Sequence, residues 1–281
     1  MSFLDRIKEC AEYRVGHYLP LLIDGVQVGQ VTRDFASWLD QFPDVFGQHD
    51  NTIVLNPTLD TFEARTTTLA TVTAQLKSDG LLPGWRGEPY SVGTGFSRPA
   101  LMEIERAAVP LFGTRGYGVN LNGYVRDENG VNLWVGKRSW QKQTSPGKLD
   151  HLVAGGQPSG ISLRDNLIKE CWEEAGIPPE LACQAHSTGY VSYLTEREEG
   201  LRDDVSFCYD LQLPADFTPQ NTDGEVESFA LWPIEQVIDT VRDTDQFKFS
   251  VSLVLIDFLV RHGHIDADEP GYSDIISGLR L

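Results

Sequence analysis

Three glutamates, Glu170, Glu173 and Glu174, stand at i, i+3 and i+4 in the run Lys169-Glu170-Cys171-Trp172-Glu173-Glu174. On a helix these positions share one face. Carboxylates held that close repel one another unless a cation sits among them, and oxygen-only ligands favour hard divalent ions such as Mg²⁺ or Mn²⁺. Taken alone, such a cluster reads as a solvated helix face. What lifts it above that reading is its setting, a short helix behind the glycine pair Gly155-Gly156.

The helix that must carry the glutamates is well signalled. Ser162 followed by Asp165 suits an N-terminal cap. Leu163, Leu167 and Cys171, with Ile168 and Trp172 beside them, make an apolar stripe at helical spacing. Gly176 suits the left-handed residue that ends a helix, and Pro178-Pro179 forbids continuation. Stripe and glutamates point in different directions, so one face packs while the other binds.

Around this helix the chain of 281 residues is long enough for two domains, and 41% hydrophobic residues are ample for a core. Residues 1–110 predict an α+β unit: a helix over 3–13, a hairpin over 21–28 turning at Asp24-Gly25, a helix from Thr32 to Phe42, a short strand at 51–55, a long helix over 61–77, a glycine- and proline-rich loop over 82–95 and a helix near 99–108. Residues 111–281 begin with strands at 117–126 and 131–138 around the turn Asp127-Glu128-Asn129-Gly130. A strand at 149–153 then runs into the glycine loop. Strands at 184–195, 205–213 and 226–232 and helices at 233–242 and 250–262 follow the glutamate helix.

A net charge of −18 opposes non-specific binding to nucleic acid, which depends on neutralising phosphates. It also requires local basic residues wherever an anionic ligand docks. No apolar stretch approaches the roughly 18 residues of a membrane span, so no membrane partner is expected. Met1-Ser2-Phe3-Leu4-Asp5 lacks the pattern of a secretory signal, and the four cysteines (Cys10, Cys171, Cys183, Cys208) are scattered. Both features lead to the expectation of a reducing cytoplasm.

Gly155, Glu170, Glu173, Glu174, Gly176 and Ile177 match the signature of Nudix hydrolases, G-x5-E-x7-R-E-U-x-E-E-x-G-U with U bulky and apolar, and Cys171 is an acceptable apolar occupant. Ile161 stands where that family has its first glutamate and Lys169 where it has arginine. The resemblance covers about residues 110 to 265. It implies an α+β chain, a Nudix α/β/α sandwich with a separate α+β N-terminal domain. Gly136-Lys137-Arg138-Ser139, Pro146-Gly147-Lys148-Leu149-Asp150, Ala154-Gly155-Gly156 and Asp223-Gly224-Glu225-Val226-Glu227 further resemble the Nudix subgroup whose N-terminal domain is related to thiamine pyrophosphokinase. That subgroup implies a small-molecule diphosphate substrate, thiamine diphosphate or its oxidised analogues, and the fold is compatible with a homodimer.

The resemblance also assigns roles. Glu170, Glu173 and Glu174 would be Mg²⁺ ligands, with Mn²⁺ as an alternative ion, and the carbonyl of Gly155 would complete the set because glycine lets the chain approach closely. Lys169 keeps the arginine's charge without its planar fork, and Ile161 removes an auxiliary carboxylate. The general base is a signature glutamate such as Glu174, or Glu225 or Glu227 after the second long strand, with Glu225 favoured for its place beside Gly224. For the phosphates, strand alternation sends Lys137 and Arg138 to opposite faces, and the bidentate Arg138 is preferred. Lys148 and Arg115 are further candidates. Trp134, Trp140, Tyr190 and Tyr193 could stack on a ring, although aromatic residues in strands more often belong to the core. His151 reads as a hydrogen-bonded structural residue. Two other readings stay open: a non-catalytic binding module, suggested by Ile161 and Lys169, and an isomerase resembling isopentenyl-diphosphate isomerases, for which Cys183 and Cys208 lack the required cysteine-histidine context.

Overall fold

The computed structural model describes residues 1–281 apart from 129, 143 and 223. Asn129, in the expected hairpin turn, and Asp223, first in the run Asp223-Gly224-Glu225-Val226-Glu227, therefore lie outside the described residues.

Elements follow in chain order α1 (Phe3–Glu9), β1 (Tyr18–Ile23), β2 (Val26–Thr32), α2 (Arg33–Leu39), β3 (Phe46–His49), β4 (Thr52–Leu55), α3 (Phe62–Ser78), β5 (Pro89–Val92), β6 (Met102–Glu105) and α4 (Val109–Phe112). Asp24 and Gly25 both take positive φ, 51° and 78°, the geometry of a tight primed turn, and join β1 to β2. Thr32 and Thr61 cap α2 and α3, their hydroxyl oxygens accepting from Phe35 N and Ala64 N. Strands β2-β1-β4-β3 form one sheet whose apolar side meets α2 and α3 in a core running from Leu19 to Phe112. The helix expected near 99–108 is instead β6, paired with β5, and a short 3-10 turn at Arg106–Ala108. Met102 and Ile104 are buried on one side while Glu103 is partly exposed, a period of two that a helix cannot satisfy. The loop expected over 82–95 correspondingly contains β5.

The second part comprises β7 (Arg115–Asp127), β8 (Gly130–Arg138), β9 (Leu149–Asp150), β10 (Val153–Gly156), α5 (Leu163–Ala175), α6 (Pro179–Ala182), β11 (His186–Arg197), β12 (Gly200–Gln212), β13 (Val226–Pro233), α7 (Ile234–Asp243), α8 (Phe249–Arg261) and α9 (Tyr272–Gly278). Its sheet has the order β11-β12-β7-β8-β13, with β10 on β7 and β9 on β8, and β12 runs parallel to β7. Alternation along the central strands feeds two cores. Val119, Leu121 and Trp134 pack with Leu167 and Cys171 of α5. Leu133 and Val135 pack with α7, α8 and Ile275 of α9. The result is the α/β/α sandwich with a separate α+β N-terminal unit that the resemblance implies. Helix α1 is the exception to the sequential split, because Phe3, Ile7 and Cys10 belong to the α7/α8/α9 core.

Candidate active site

Helix α5 begins and ends as its residues dictate. Ser162 Oγ accepts from Asp165 N at 3.1 Å, and Gly176 at φ 63° closes the last turn. Leu167, Cys171 and Ala175 are buried against the sheet, whereas Trp172 is 54% exposed and is not part of the packed stripe. Asn166, fully buried, donates from Nδ2 to Gly156 O at 2.8 Å and to Gln157 Oε1 at 3.1 Å, which ties the helix to the glycine loop.

Glu170 and Glu174 come together at that loop. A Cβ on Gly155 would collide with the Glu170 carboxyl, so only glycine lets the carboxylate lie against the backbone there. Glu174 is buried, and its Oε2 accepts from Ala154 N at 2.7 Å. Burial first, then the charges of Glu170 and Asp150, push the Glu174 carboxyl well above the usual carboxylate range despite that hydrogen bond. Burial likewise raises Glu170, Glu173 adds to the shift, and Lys169 and Arg106 oppose it. Glu173 is more exposed and pairs with Lys169 at 2.7 Å, and the same ammonium reaches Glu170 at 3.1 Å. Lys169 thus bridges two of the three glutamates as a point charge. Among the described residues no three histidine, cysteine or acidic side chains converge as a ready-made ligand set.

The expected phosphate ligands are engaged elsewhere. Arg138 is buried, paired with Asp150 at 2.6 Å, and donates to the carbonyls of Thr144 and Ser145. Its fork holds the 144–150 loop, a structural use of the bidentate geometry that had made it the preferred candidate. Lys137 pairs with Glu227 at 3.1 Å and lies over the exposed Trp140. Lys148 pairs with Asp245 at 3.1 Å, and Arg115 grips Asp203 through two bonds of 2.9 and 3.0 Å. Glu225 is part-buried, ion-paired with Lys142, and 3.6 Å from Arg86. Burial would raise its carboxyl, but Lys142, Arg86 and Arg106 hold it below the ordinary value. Tyr193 is core, its hydroxyl donating to Asp204 at 2.7 Å, and Trp134 is core as well.

A family model for the NUDIX domain matches residues 116–252, and one described as a domain of unknown function (DUF4743) matches residues 2–116. Nudix hydrolase 24, chloroplastic, of Arabidopsis thaliana is 48% identical over 283 residues, covering 99% of this chain and 78% of the relative. The chain belongs to the Nudix hydrolase family. Nudix hydrolase 20, chloroplastic, of the same plant is 45% identical, with 99% and 78% covered. An uncharacterised Saccharomyces cerevisiae protein, YJR142W, is 35% identical over 69% of this chain and 60% of its own length.

As a Nudix hydrolase the protein is an enzyme acting on diphosphate bonds, and the family generally uses divalent metals, typically Mg²⁺. The expectation of a cytoplasmic protein is overturned, since the two plant relatives are chloroplastic by name. Cysteine usage reports a reducing environment and not which compartment supplies it. No helix among the described residues is long and apolar enough to cross a membrane.

This Nudix hydrolase also places residues at the glycine loop that local motifs do not show. A Cβ on Gly156 would overlap the Tyr90 hydroxyl and stand 3.4 Å from Arg106 Cζ, so both N-terminal residues reach the loop. Arg86 and Lys142 pair with Glu225, whose carboxyl also feels the Arg106 charge. Tyr90, Arg86 and Arg106 are distant in sequence from the signature, and only the second glycine of Ala154-Gly155-Gly156 hints that something must approach there.

Proposed function

We propose that this Nudix hydrolase cleaves the diphosphate linkage of a small organic diphosphate at residues 154–156, with Mg²⁺, or Mn²⁺ in its place, as the cation and thiamine diphosphate or its oxidised analogues as the substrate class. The observation that carries this reading is the pair of carboxylates on the glycine loop, Glu170 against Gly155 and Glu174 on Ala154 N. The donor set fits a hard cation: two carboxylates and a backbone carbonyl, all oxygen, with the buried carboxylate held by a single backbone donor. Glu170, Glu174 and the Gly155 carbonyl would hold the ion, and Glu173 would join them on leaving Lys169. When bound, the ion neutralises charge on the phosphate oxygens and lowers the pKa of water beside them.

Arg86, Arg106 and Lys142 supply the local positive charge that an anionic substrate needs in so acidic a chain. Glu225 anchors two of these cations. Held low by them it is a weak base, and a diphosphate that draws Lys142 and Arg86 towards itself makes Glu225 more basic next to the attacking water. The N-terminal unit, residues 1–110 beside a catalytic unit of 111–281, serves in this reading as the specificity element.

The test is hydrolysis of a diphosphate panel, including thiamine diphosphate and its oxidised forms, with Mg²⁺ and with Mg²⁺ removed by chelation. Glu174→Gln keeps the shape and removes the charge, and kcat is expected to fall about 100-fold or more, since an ion's charge stabilisation is worth several kcal/mol. Activity that survives this substitution would sink the assignment.

A further inference from the structure

Between the β5–β6 hairpin with its connecting loop and the segment after the glycine loop lies a cavity of about 130 Å³. Tyr90, Phe96 and Arg98 line it from the N-terminal unit, and Tyr117, Gln157 and Ile161 from the sandwich. Gln157 directly follows Gly156, so the cavity adjoins the loop against which Glu170 and Glu174 lie. Phe96 is 38% exposed, and its ring centroid lies 5.1 Å from Tyr117 and 4.7 Å from Phe207. Tyr117 and Phe207 are themselves inclined by only 17°. Aromatic faces left partly open beside a cavity offer a stacking platform. An apolar cavity of roughly 150 Å³ holds a benzene molecule, so the space is that of one ring.

Three further features bear on what the ring would be. Arg98 is the only charged residue lining the cavity among those described, so this wall does not repel an anion. Tyr90 is only 6% exposed, and its hydroxyl has no hydrogen-bond partner among the described residues. That hydroxyl abuts Gly156 at the phosphate end of the site, so Tyr90 spans from the glycine loop to the cavity wall. Ile161, where the Nudix signature has a glutamate, turns that position into an apolar wall of the cavity.

We propose that this cavity is a subsite for a single heteroaromatic ring of the substrate's organic part, stacked on Phe96 and walled by Tyr90 and Ile161, with the diphosphate at residues 154–156. The proposal rests on the diphosphatase reading for the placement of the phosphates. It explains the departure at Ile161 as selection of the ring instead of loss of a metal ligand.

Equilibrium titration of the full chain with thiamine monophosphate, which carries a thiazolium and an aminopyrimidine, with uridine monophosphate, which carries one pyrimidine, and with ring-free glycerol 3-phosphate tests it. The ring-bearing phosphates are expected to bind about tenfold tighter, the usual order of a stacking contact. Phe96→Ala, in an exposed loop, and Ile161→Glu should each abolish that preference, and Phe96→Ala should leave glycerol 3-phosphate within about twofold and the melting temperature unchanged. Equal affinity for all three ligands, no detectable binding of the ring-bearing ones at millimolar concentration, or a preference that survives Phe96→Ala overturns the subsite. Failure of the diphosphatase reading is separable: no diphosphate is hydrolysed, yet the ring preference persists.

Discussion

Glu174 sits buried beside Glu170 and Asp150 with one backbone donor, and its carboxyl is raised well above 4.5. A carboxyl raised in the folded state binds its proton more tightly than the unfolded chain does. Its contribution is therefore favourable below about pH 4.5 and turns into a cost as pH rises through the folded value. At neutral pH a cation offsets that cost. Mg²⁺ is thus expected to raise the melting temperature of the wild type, and to do so far less for Glu174→Gln, as measured by calorimetry at fixed metal concentration. His151 has the opposite sign. Burial, joined by the charges of Lys248 and Arg138 and only partly opposed by Asp150, brings its imidazole down to about 4. Its Nε2 lies 2.8 Å from Asn120 Oδ1, a buried hydrogen bond that the neutral ring can make. Stability from neutral His151 is fully present above pH 6.5 and is lost as pH falls towards 4, by at most roughly 3 kcal/mol. Urea midpoints taken across that window should fall for the wild type and fall less for His151→Gln.

At the scale of elements, the site depends on how α5 is fastened to β10 and the residues after it. Asn166 provides the fastening, because its Nδ2 serves both Gly156 O and Gln157 Oε1 in a fully buried position. Asn166→Ala leaves those two acceptors unpaired and is expected to cost about 1–3 kcal/mol in urea unfolding. The loss of kcat should be larger than that of a comparably destabilising substitution far from the loop, since misplacing the glycine backbone misplaces both Glu170 and Gly155. If Asn166→Ala retains full kcat at a temperature where it is folded, the fastening is structural only. Much of this scale was legible in the sequence: the cap at Ser162, the closing Gly176 and the Asp24-Gly25 turn, although the single strand expected at 149–153 is β9 on β8 and β10 on β7. The region 99–108 was not, because its short apolar run suits a helix or a strand equally until β5 is there to pair with it.

For the whole molecule, the order of the chain and the order of the cores differ. Phe3, Ile7 and Cys10 of α1 are buried with residues of α7, α8 and α9, so the first helix helps stabilise the sandwich although the residues after it build another unit. Phe3→Ala, at 2% exposure, is expected to cost about 3–5 kcal/mol and to lower the unfolding transition of the sandwich, monitored by protection of α8 amides in hydrogen exchange. Unchanged protection in α8 would show that α1 is dispensable there. Tyr90 and Arg106 likewise reach the glycine loop and Arg86 reaches Glu225, which couples the N-terminal unit to the chemistry without any shared motif.

The sequence by itself determined the glutamate helix, its caps, the glycine loop and the family, because each depends on residue types at short fixed spacings. It also showed that a chain of net charge −18 must gather cations at its site. Which cations those are was decided only by the tertiary structure. Arg138, Lys137, Lys148 and Arg115 are engaged by carboxylates away from the glycine loop, whereas Arg86 and Lys142 pair with Glu225 and Arg106, paired with Glu88, lies beside Gly156. Ion pairing is a pairwise property of positions in space, so no single basic residue carries in its own neighbourhood the information of whether it is free to meet a phosphate.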